Sequence, residues 1–467
     1  MSALTSFHDF RYPFSSELIL QNRNRVLRLA TFHQEKGRDI HPFFFEGKLS
    51  QPKRTAEMLR ALMKVVQSRF HIPAMMLAGI MRNSDPVVTC NDELVRFEGF
   101  SACAGVYVRL DLEPASFIGD RTGRGTTNVD FNHPMLAALA RIKKTDQVGI
   151  SIGAEQVVLE KESGNVVEKR VELPVRWMKG FVEVQAVQKR MDHCFSVPGM
   201  DAFRFFRSLP RMKTHRRKTY VTQAGKGLRL SQVPVSTGVS VGGLERLEVL
   251  ETMSKSARKL DVFADKSTGA SGWVLQFDDC KFHVVISPEV WRGFSGEGQA
   301  LSAIAKQRKQ ELAKIRALLQ WQNVIDEISI SKMLKAEQEA VAESLMVLGA
   351  RGLVGFDLST RSYFHRQMPF DVSLVEKLQP RLKSARKLLE VSKLSVRKKN
   401  SLTVEVLVPS QDIKHRVTLS IAKQTAKAGD ATVPEKCTCP WFSQHQGKRG
   451  PCKHILAAQI FLEEKEH

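Results

Sequence analysis

Three cysteines and one histidine are grouped near the C-terminus in the pattern Cys-x-Cys followed by Cys-x-His. The four residues are Cys437, Cys439, Cys452 and His454, with twelve residues between the two pairs. Three thiolates and one imidazole make a complete tetrahedral set for Zn²⁺. Because protein atoms take all four positions, no water is left on the metal to act as a nucleophile. The motif therefore predicts one structural zinc ion per chain.

The elements around the motif must bring the two pairs together. Residues two apart on an extended strand project to the same side, so the first pair is predicted to bind one ion jointly. The second pair comes from the turn that opens the last helix, and residues 448–451 (Lys-Arg-Gly-Pro) form the sharp return between the pairs. His445, inside the loop, is an alternative ligand that we expect to be exposed.

At these residues the chain resembles the SWIM zinc finger, whose pattern is Cys-x-Cys and, after a variable gap, Cys-x-His, on strands that lead into a helix. The resemblance implies that the same four residues hold a structural metal in a domain associated with DNA binding or protein interaction. Strands over 401–409 and 415–421 fit the usual lead-in. Residues 355–370 also resemble bacterial SWIM zinc finger family proteins, some of which accompany MoxR-type AAA ATPases and von Willebrand A proteins.

Two common enzyme signatures are missing from the sequence. Neither the P-loop pattern Gly-x-x-x-x-Gly-Lys-Ser/Thr nor His-Glu-x-x-His occurs in the sequence. The acidic pairs Asp278-Asp279 and Asp111 with Glu113 are the residues that a magnesium-dependent nuclease would use, but scattered acids are more often surface charge. We predict that the protein is not an enzyme.

The overall charge points to a polyanionic partner. The 467 residues include 71 Lys and Arg against 49 Asp and Glu, a net charge of +22. Such a charge favours nucleic acid through counterion release, and a basic surface that binds an acidic protein is the alternative. The longest apolar runs fall short of the roughly 18 to 20 residues needed to cross a bilayer. Since the N-terminus also lacks a secretory signal, we predict a cytoplasmic protein without membrane association.

The densest mixture of basic and aromatic residues lies between Asp192 and Tyr220. Either the cations neutralise phosphates while Phe203, Phe205 and Phe206 stack on bases, or the phenylalanines are core and the cations are a solvated loop. The candidate nucleic-acid-binding residues here are Arg204, Arg207, Arg211, Lys213, Arg216, Arg217 and Lys218.

A second basic tract lies just before the zinc motif. It is either a phosphate-facing track or a solubilising linker. Its candidate binding residues are Lys393, Arg397, Lys398 and Lys399, and the return loop of the motif adds Lys448 and Arg449.

Hydrophobic periodicity predicts a mixed α+β chain of several domains. A helix over 54–70, followed by strands over 86–100 and 105–112, resembles the repeated unit of DNA sliding-clamp proteins, with a generic mixed α+β domain as the alternative. The stretch 224–243 is interpreted as a loop or linker because it is rich in Gly, Ser and Thr.

Helices over 303–321 and 332–348, the second capped by Ser331, precede a hairpin over 353–370, which is the order of a winged-helix module. Glu337, Glu339 and Glu343 on the second helix would repel phosphate, so we expect this module to be structural or protein-binding.

These observations predict four domains. They are a mixed α+β domain over 1–190, a second α+β domain over 191–298, a helical winged-helix-like module over 299–372 and a SWIM ββα zinc finger domain over 373–467. The predicted function is non-catalytic binding of nucleic acid, with DNA as the preferred partner. The alternatives are an interaction adaptor that docks on an AAA ATPase or von Willebrand A system, and a clamp-like protein that encircles DNA.

Overall fold

The computed structural model confirms a mixed α+β chain with more than one structural unit. Every structural statement below concerns the residues that it describes. They are 8–11, 17–21, 24–30, 45–70, 86–118, 124–129, 131, 133–153, 170–173, 175–210, 218–296, 298, 300–305, 309–368, 379–400, 403–410, 413–420 and 435–465.

The chain forms two compact units. Unit 1 is built from 1–295, 319–325 and 352–370, and unit 2 from 296–318, 326–351 and 371–467. The hairpin that was grouped with the preceding helices as a winged-helix-like module therefore lies in unit 1, whereas those helices lie in unit 2.

Unit 1 is dominated by an antiparallel eight-stranded sheet in the order β12-β16-β17-β18-β7-β6-β5-β9. Smaller sheets have the orders β2-β3-β10-β4-β8, β14-β13-β15, β1-β11 and β19-β20. The strands are β1 His8–Arg11, β2 Glu17–Gln21, β3 Asn24–Ala30, β4 Phe45–Leu49, β5 Val87–Cys90, β6 Val95–Phe100, β7 Val106–Leu112, β8 Phe117–Ile118, β9 Gly125–Asn128, β10 Val148–Gly153, β11 Arg170–Leu173, β12 Asp192–Pro198, β13 Lys218–Ala224, β14 Gly227–Ser231, β15 Val239–Gly242, β16 Lys259–Asp265, β17 Ala270–Gln276, β18 Cys280–Ile286, β19 Val354–Asp357 and β20 Ser362–His365.

The helices of unit 1 cover its sheets. They are α1 Pro52–Gln67, α2 His133–Ala140, α3 Val175–Lys189, α4 Gly199–Ser208 and α5 Glu251–Ser254, with short 3-10 helices at Pro114–Ser116 and Leu244–Leu250. The predicted first helix is confirmed: it begins at Pro52, whose fixed φ suits a first turn, and buries the apolar positions that repeat every three or four residues.

The predicted linker over 224–243 is wrong. This stretch contributes strands β14 and β15, both paired to β13. Gly225, with φ of +60°, lies in the tight turn between β13 and β14, so the glycine that suggested a linker marks a hairpin.

A buried ionic cluster joins the hairpin β19–β20 to the eight-stranded sheet. The Arg109 guanidinium donates to Asp111 at 2.7 Å and to Asp357 of the hairpin at 2.6 Å, and Arg96 donates to Asp111 at 2.8 Å. Although burial alone would raise it, the charges of Arg109 and Arg96 hold the pKa of Asp111 at about 2. Asp111, proposed from the sequence as surface charge or a magnesium ligand, is thus the buried partner of two arginines.

A second buried pair extends the same contact. Arg366, just after the hairpin, donates to Glu98 of β6 at 2.5 Å, and the hydroxyl of Tyr107 donates to the same carboxylate at 2.6 Å. Buried charges are stable only when paired, so these partners explain why the hairpin packs on this sheet.

Unit 2 consists of helices and a four-stranded antiparallel sheet in the order β21-β22-β23-β24. Helix α12 packs on β22 and β23 on one side and on α10 on the other. The elements are α6 Leu301–Ala305, α7 Lys309–Ala317, α8 Glu327–Leu334, α9 Gln338–Ala350, α10 Pro380–Val391, α11 Pro440–His445, α12 Lys453–Lys465, β21 Ser395–Lys399, β22 Thr403–Ser410, β23 Ile413–Ser420 and β24 Lys436–Cys437.

The predicted helix over 332–348 is replaced by two helices, α8 and α9. Asp326, not Ser331, caps α8 by accepting from the Ser329 amide at 2.9 Å. Lys335, in the left-handed region with φ of +51°, ends α8. The apolar periodicity was predicted correctly, but it continues across the end of α8. The sequence has no glycine there that would have indicated the end of a helix.

Candidate metal centre and basic surfaces

The four predicted zinc ligands converge in the C-terminal part of unit 2. The ligand atoms of Cys437, Cys439, Cys452 and His454 all lie within 4.8 Å of one another, and all four residues are buried. The Sγ of Cys437 lies 3.9 Å from the Nδ1 of His454. A tetrahedral site with bonds of about 2.0–2.3 Å has ligand–ligand distances of roughly 3.5–3.8 Å. The group therefore fits one structural zinc ion.

The first pair is held by a strand end and a helix start. Cys437 ends β24 and is paired with Val417 of β23. Cys439 is the N-cap of α11, and its sulfur accepts from the Phe442 amide at 3.4 Å. The strand thus ends two residues before Cys439, and the cap of α11 positions the second sulfur.

The second pair opens α12. The sulfur of Cys452 accepts from the Ile455 amide at 3.4 Å, while His454 lies in the first turn of the helix. Backbone N–H groups at a helix start stabilise a thiolate, so both Cys439 and Cys452 lie where negative sulfur is favoured.

The pKa values of the three thiols also favour the binding of a cation among them. The hydrogen bond with Cys452 raises the pKa of the Cys437 thiol, and burial raises that of Cys439. The same interaction with Cys437 lowers the pKa of Cys452 to about 4. Sulfurs this close cannot all be anionic unless a positive ion lies among them, and Zn²⁺ supplies that charge.

Arg381 of α10 fixes the return loop between the two pairs. Its Nη1 donates to the carbonyl of Arg449 at 2.6 Å and to that of Pro451 at 3.0 Å. Its guanidinium carbon also lies 4.9 Å from the ring centre of Trp441 in α11. Arg381 was not singled out from the sequence, because its partners are about 70 residues away along the chain.

Replacing Arg381 with alanine is expected to weaken zinc binding about 10- to 100-fold, as is usual when a residue that orients metal ligands is lost. Competition with a chromophoric chelator measures this affinity. The control is Lys387→Ala, an exposed residue on the same helix. Equal zinc affinity in Arg381→Ala and the wild type would show that the loop keeps its shape without this arginine.

Two histidines lie beside the centre without joining it. His445, the alternative ligand that was expected to be exposed, is instead half-buried because it packs against Trp441, with ring centres 4.7 Å apart. His415 of β23, which was not proposed from the sequence, lies against the ligand His454, with ring centres 4.2 Å apart. Its contact limits the orientations open to the ligating imidazole.

The basic residues proposed for unit 1 are only partly described. Arg204, Arg207 and Lys218 are exposed, whereas Arg211, Lys213, Arg216 and Arg217 lie outside the described residues. Arg204 is paired with Asp201 at 2.9 Å and Lys218 with Glu289 at 3.7 Å.

The phenylalanines of this cluster do not form a stacking surface. Phe205 and Phe206 are 4% and 1% exposed, and Phe206 packs on Trp273 with ring centres 6.3 Å apart. Phe203 is half-buried beside Arg207. Phe205 and Phe206 therefore belong to the core, as the second interpretation from the sequence expected, but Arg204 and Arg207 lie on α4 and not in a loop.

The basic tract before the zinc motif forms an edge strand with a bulge at Arg397. Arg397, Lys398 and Lys399 lie in β21, all of whose residues are exposed, and Lys393 is exposed just before it. Lys448 of the return loop is exposed, and Arg449 is half-buried. The tract is thus part of the same sheet that carries Cys437, and not a linker.

The sequence also contains a Gly-x-Ser-x-Gly pattern at 238–242, a spacing found in serine hydrolases. Such a serine must lie on a sharp turn between a strand and a helix. Ser240 instead lies inside β15, opposite Tyr220 of β13. This placement does not expose it as a nucleophile of that type.

Comparison with protein families identifies a match in the C-terminal part of the chain. Residues 415–460 match the model of the SWIM zinc finger, and this range contains all four converging ligands. Comparison with curated proteins gives no match.

Solved structures similar to this chain include two sliding-clamp proteins. The proliferating cellular nuclear antigen of Entamoeba histolytica is 9% identical, with a TM-score of 0.33, and the match covers 53% of this chain and 99% of that one. The PCNA2–PCNA3 complex of Sulfolobus tokodaii is 8% identical, with a TM-score of 0.34, and the match covers 52% and 99%. Among the described helices, none has the length and apolar character needed to span a bilayer.

Proposed function

We propose that this chain, in which residues 415–460 form a SWIM zinc finger, is a non-catalytic zinc protein that binds nucleic acid, with DNA as the preferred partner. SWIM zinc fingers are associated with interactions with nucleic acid or protein. In this proposal zinc organises unit 2, and basic surfaces contact phosphates.

The concentration of charge around the zinc centre carries the proposal. Residues 373–467 contain 18 Lys and Arg against 9 Asp and Glu, a net +9 out of the +22 of the whole chain. About a fifth of the sequence therefore holds two fifths of the excess charge. Local positive charge of this density attracts polyanions and gives affinity without sequence preference.

The closed ligand set supports a non-catalytic role for the metal. Catalytic zinc keeps one position for water or substrate, whereas three sulfurs and one imidazole fill a tetrahedral site. A metal with no open position holds protein segments together and does not activate water.

The test is a titration of labelled duplex DNA with zinc-loaded, nucleic-acid-free full-length protein at several salt concentrations. We expect submicromolar affinity at low salt and a steep linear fall of log affinity with log salt, by roughly 0.9 for each phosphate neutralised. An absence of binding at low salt would exclude the proposed function.

An adaptor function is the second candidate, and the surface of α8 favours it. Ile328 and Met333 on this helix are 51% and 66% exposed, an unusual placement for large apolar side chains. Titration with a purified MoxR-type ATPase tests it. Stoichiometric binding that Met333→Glu abolishes, together with no binding to DNA, would favour the adaptor. A clamp that encircles DNA stays a prediction from the sequence.

A further inference from the structure

The four-stranded sheet of unit 2 has two chemically different faces. The face toward α12 is apolar and includes the buried Val404, Val406, Val408, Val417 and Leu419. On strands β22 and β23 the alternating positions of the other face are exposed or half-buried. We name this second side, formed by Arg397, Lys398, Thr403, Glu405, Leu407, Pro409, Lys414, Arg416, Thr418 and Lys436, the outer face.

Among the described residues, the outer face carries five cations and a single carboxylate. Register places Arg416 opposite Leu407, Lys414 opposite Pro409 and Lys436 opposite Thr418. Arg397, at a bulge in β21, reaches Glu405 at 3.0 Å, and Arg416 lies 3.8 Å from the same carboxylate. The one negative charge is therefore shielded by two arginines, each more than half exposed.

Protection of a sheet edge does not explain this pattern. Lysines on an edge strand prevent pairing with other chains, and that suffices for those on β21. Arg416, however, has a neighbour on both sides: β22 pairs along the whole of β23, and on the other side the N–H and C=O of Arg416 bond with Thr438. A cation at this position does not protect an edge, so its alignment with the other cations on one face calls for another explanation.

The spacing of the cations fits an extended row of phosphates. Lys414 and Arg416 are two residues apart on one strand, or about 7 Å, and adjacent strands add steps of about 4.8 Å. Lys398 and Lys436 lie at opposite sides of the sheet, in register with Glu405 and Thr418 of the two middle strands. This line across the sheet thus carries a cation at each end, with Glu405 and Thr418 between them.

The composition of the outer face also indicates which nucleic acid it suits. Its described residues include no aromatic side chain, and binding of single strands depends on stacking bases against aromatic rings. Contacts from lysine and arginine alone recognise the phosphate backbone, whose charge density is higher in a duplex than in a single strand.

We infer that the outer face is the principal binding surface for the phosphate backbone of duplex DNA, and that it binds without sequence preference. This inference rests on the proposed function. It adds Lys414, Arg416 and Lys436 to the residues proposed from the sequence, and it assigns a lesser role to the cations of α4.

The test compares two triple variants of the full-length, zinc-loaded protein. The first is Lys414→Gln, Arg416→Gln and Lys436→Gln. The control removes the same charge from exposed positions of unit 1, by Lys226→Gln, Arg229→Gln and Lys255→Gln. All six residues are exposed, so zinc content and thermal unfolding should match the wild type in both variants. Each protein is titrated with duplex and single-stranded DNA of several sequences over a range of salt.

We expect the outer-face variant to lose duplex affinity at least tenfold at low salt and to show a salt slope reduced by about 3, near 0.9 for each lost phosphate contact. The control should change much less, and the wild type should prefer duplex over single strands. Equal loss in both variants, an unchanged slope in the first, or preference for single strands would overturn the inference while leaving the proposed function intact. A wild type that does not bind DNA would instead exclude the proposed function itself.

Discussion

Replacing Cys452 with serine is expected to abolish stoichiometric zinc binding and to unfold the zinc finger locally while unit 1 stays folded. Cys452 supplies one of the four ligands, and its sulfur also accepts a hydrogen bond from the Ile455 amide at the start of α12. Structural zinc contributes on the order of 10–16 kcal/mol to the folding of such sites, far more than a small domain retains as net stability. Zinc analysis and limited proteolysis measure the two effects, with new cleavage expected within 379–465.

The matched control for this substitution is Cys194→Ser. Cys194 is a half-buried cysteine of β12 in unit 1 and is not one of the four converging ligands. It should leave both zinc content and the proteolytic pattern unchanged. If Cys452→Ser instead keeps one zinc ion per chain and the protease resistance of the wild type, the ligand assignment is wrong.

Replacing Arg109 with alanine is expected to destabilise unit 1 by about 3–5 kcal/mol, the usual cost of leaving buried charges without their partner. Arg109 is fully buried and donates to Asp111 and Asp357. In the wild type, burial, together with Arg109, lowers the pKa of the neighbouring His283 to about 3, so at neutral pH that ring is neutral and adds no positive charge to the cluster. Urea unfolding followed by tryptophan fluorescence measures the loss.

The control for this substitution is Arg124→Ala, which removes an arginine paired with Asp92 at the exposed surface. Exposed pairs contribute little to stability, so its unfolding midpoint should match the wild type. The same midpoint for Arg109→Ala would mean that the cluster relaxes or admits water, and that it does not hold the hairpin to the sheet.

The zinc centre was predictable from the sequence because its chemistry is local. Two ligand pairs with short, regular spacing restrict which metal can bind and in which coordination geometry. The apolar periodicity after Cys452 predicts a helix there. The cap at Cys439 was missed, since Cys-x-Cys suggests a strand and gives no sign that a helix begins at Pro440.

The buried cluster of unit 1 was not predictable, because Arg109 and Asp357 are 248 residues apart. A charged residue in a strand ordinarily indicates a solvent-exposed face, and only the tertiary structure shows that these charges meet inside. The outer face of the zinc-finger sheet was predictable only in part. The alternation of Lys414 and Arg416 with buried residues was visible in the sequence, but the neighbouring strands that extend the row were not.

The order of the chain has a consequence for how unit 1 is completed. Strands β6 and β7, which carry Glu98 and Arg109, are synthesised long before Asp357 and Arg366, and the first helices of unit 2 lie between them in the sequence. A growing chain that has reached residue 298 holds nearly all the strands of unit 1, yet Arg109 still lacks Asp357 and Glu98 still lacks Arg366. Unit 1 is therefore finished only after part of unit 2 has left the ribosome, and a cut at 298 yields an incomplete domain.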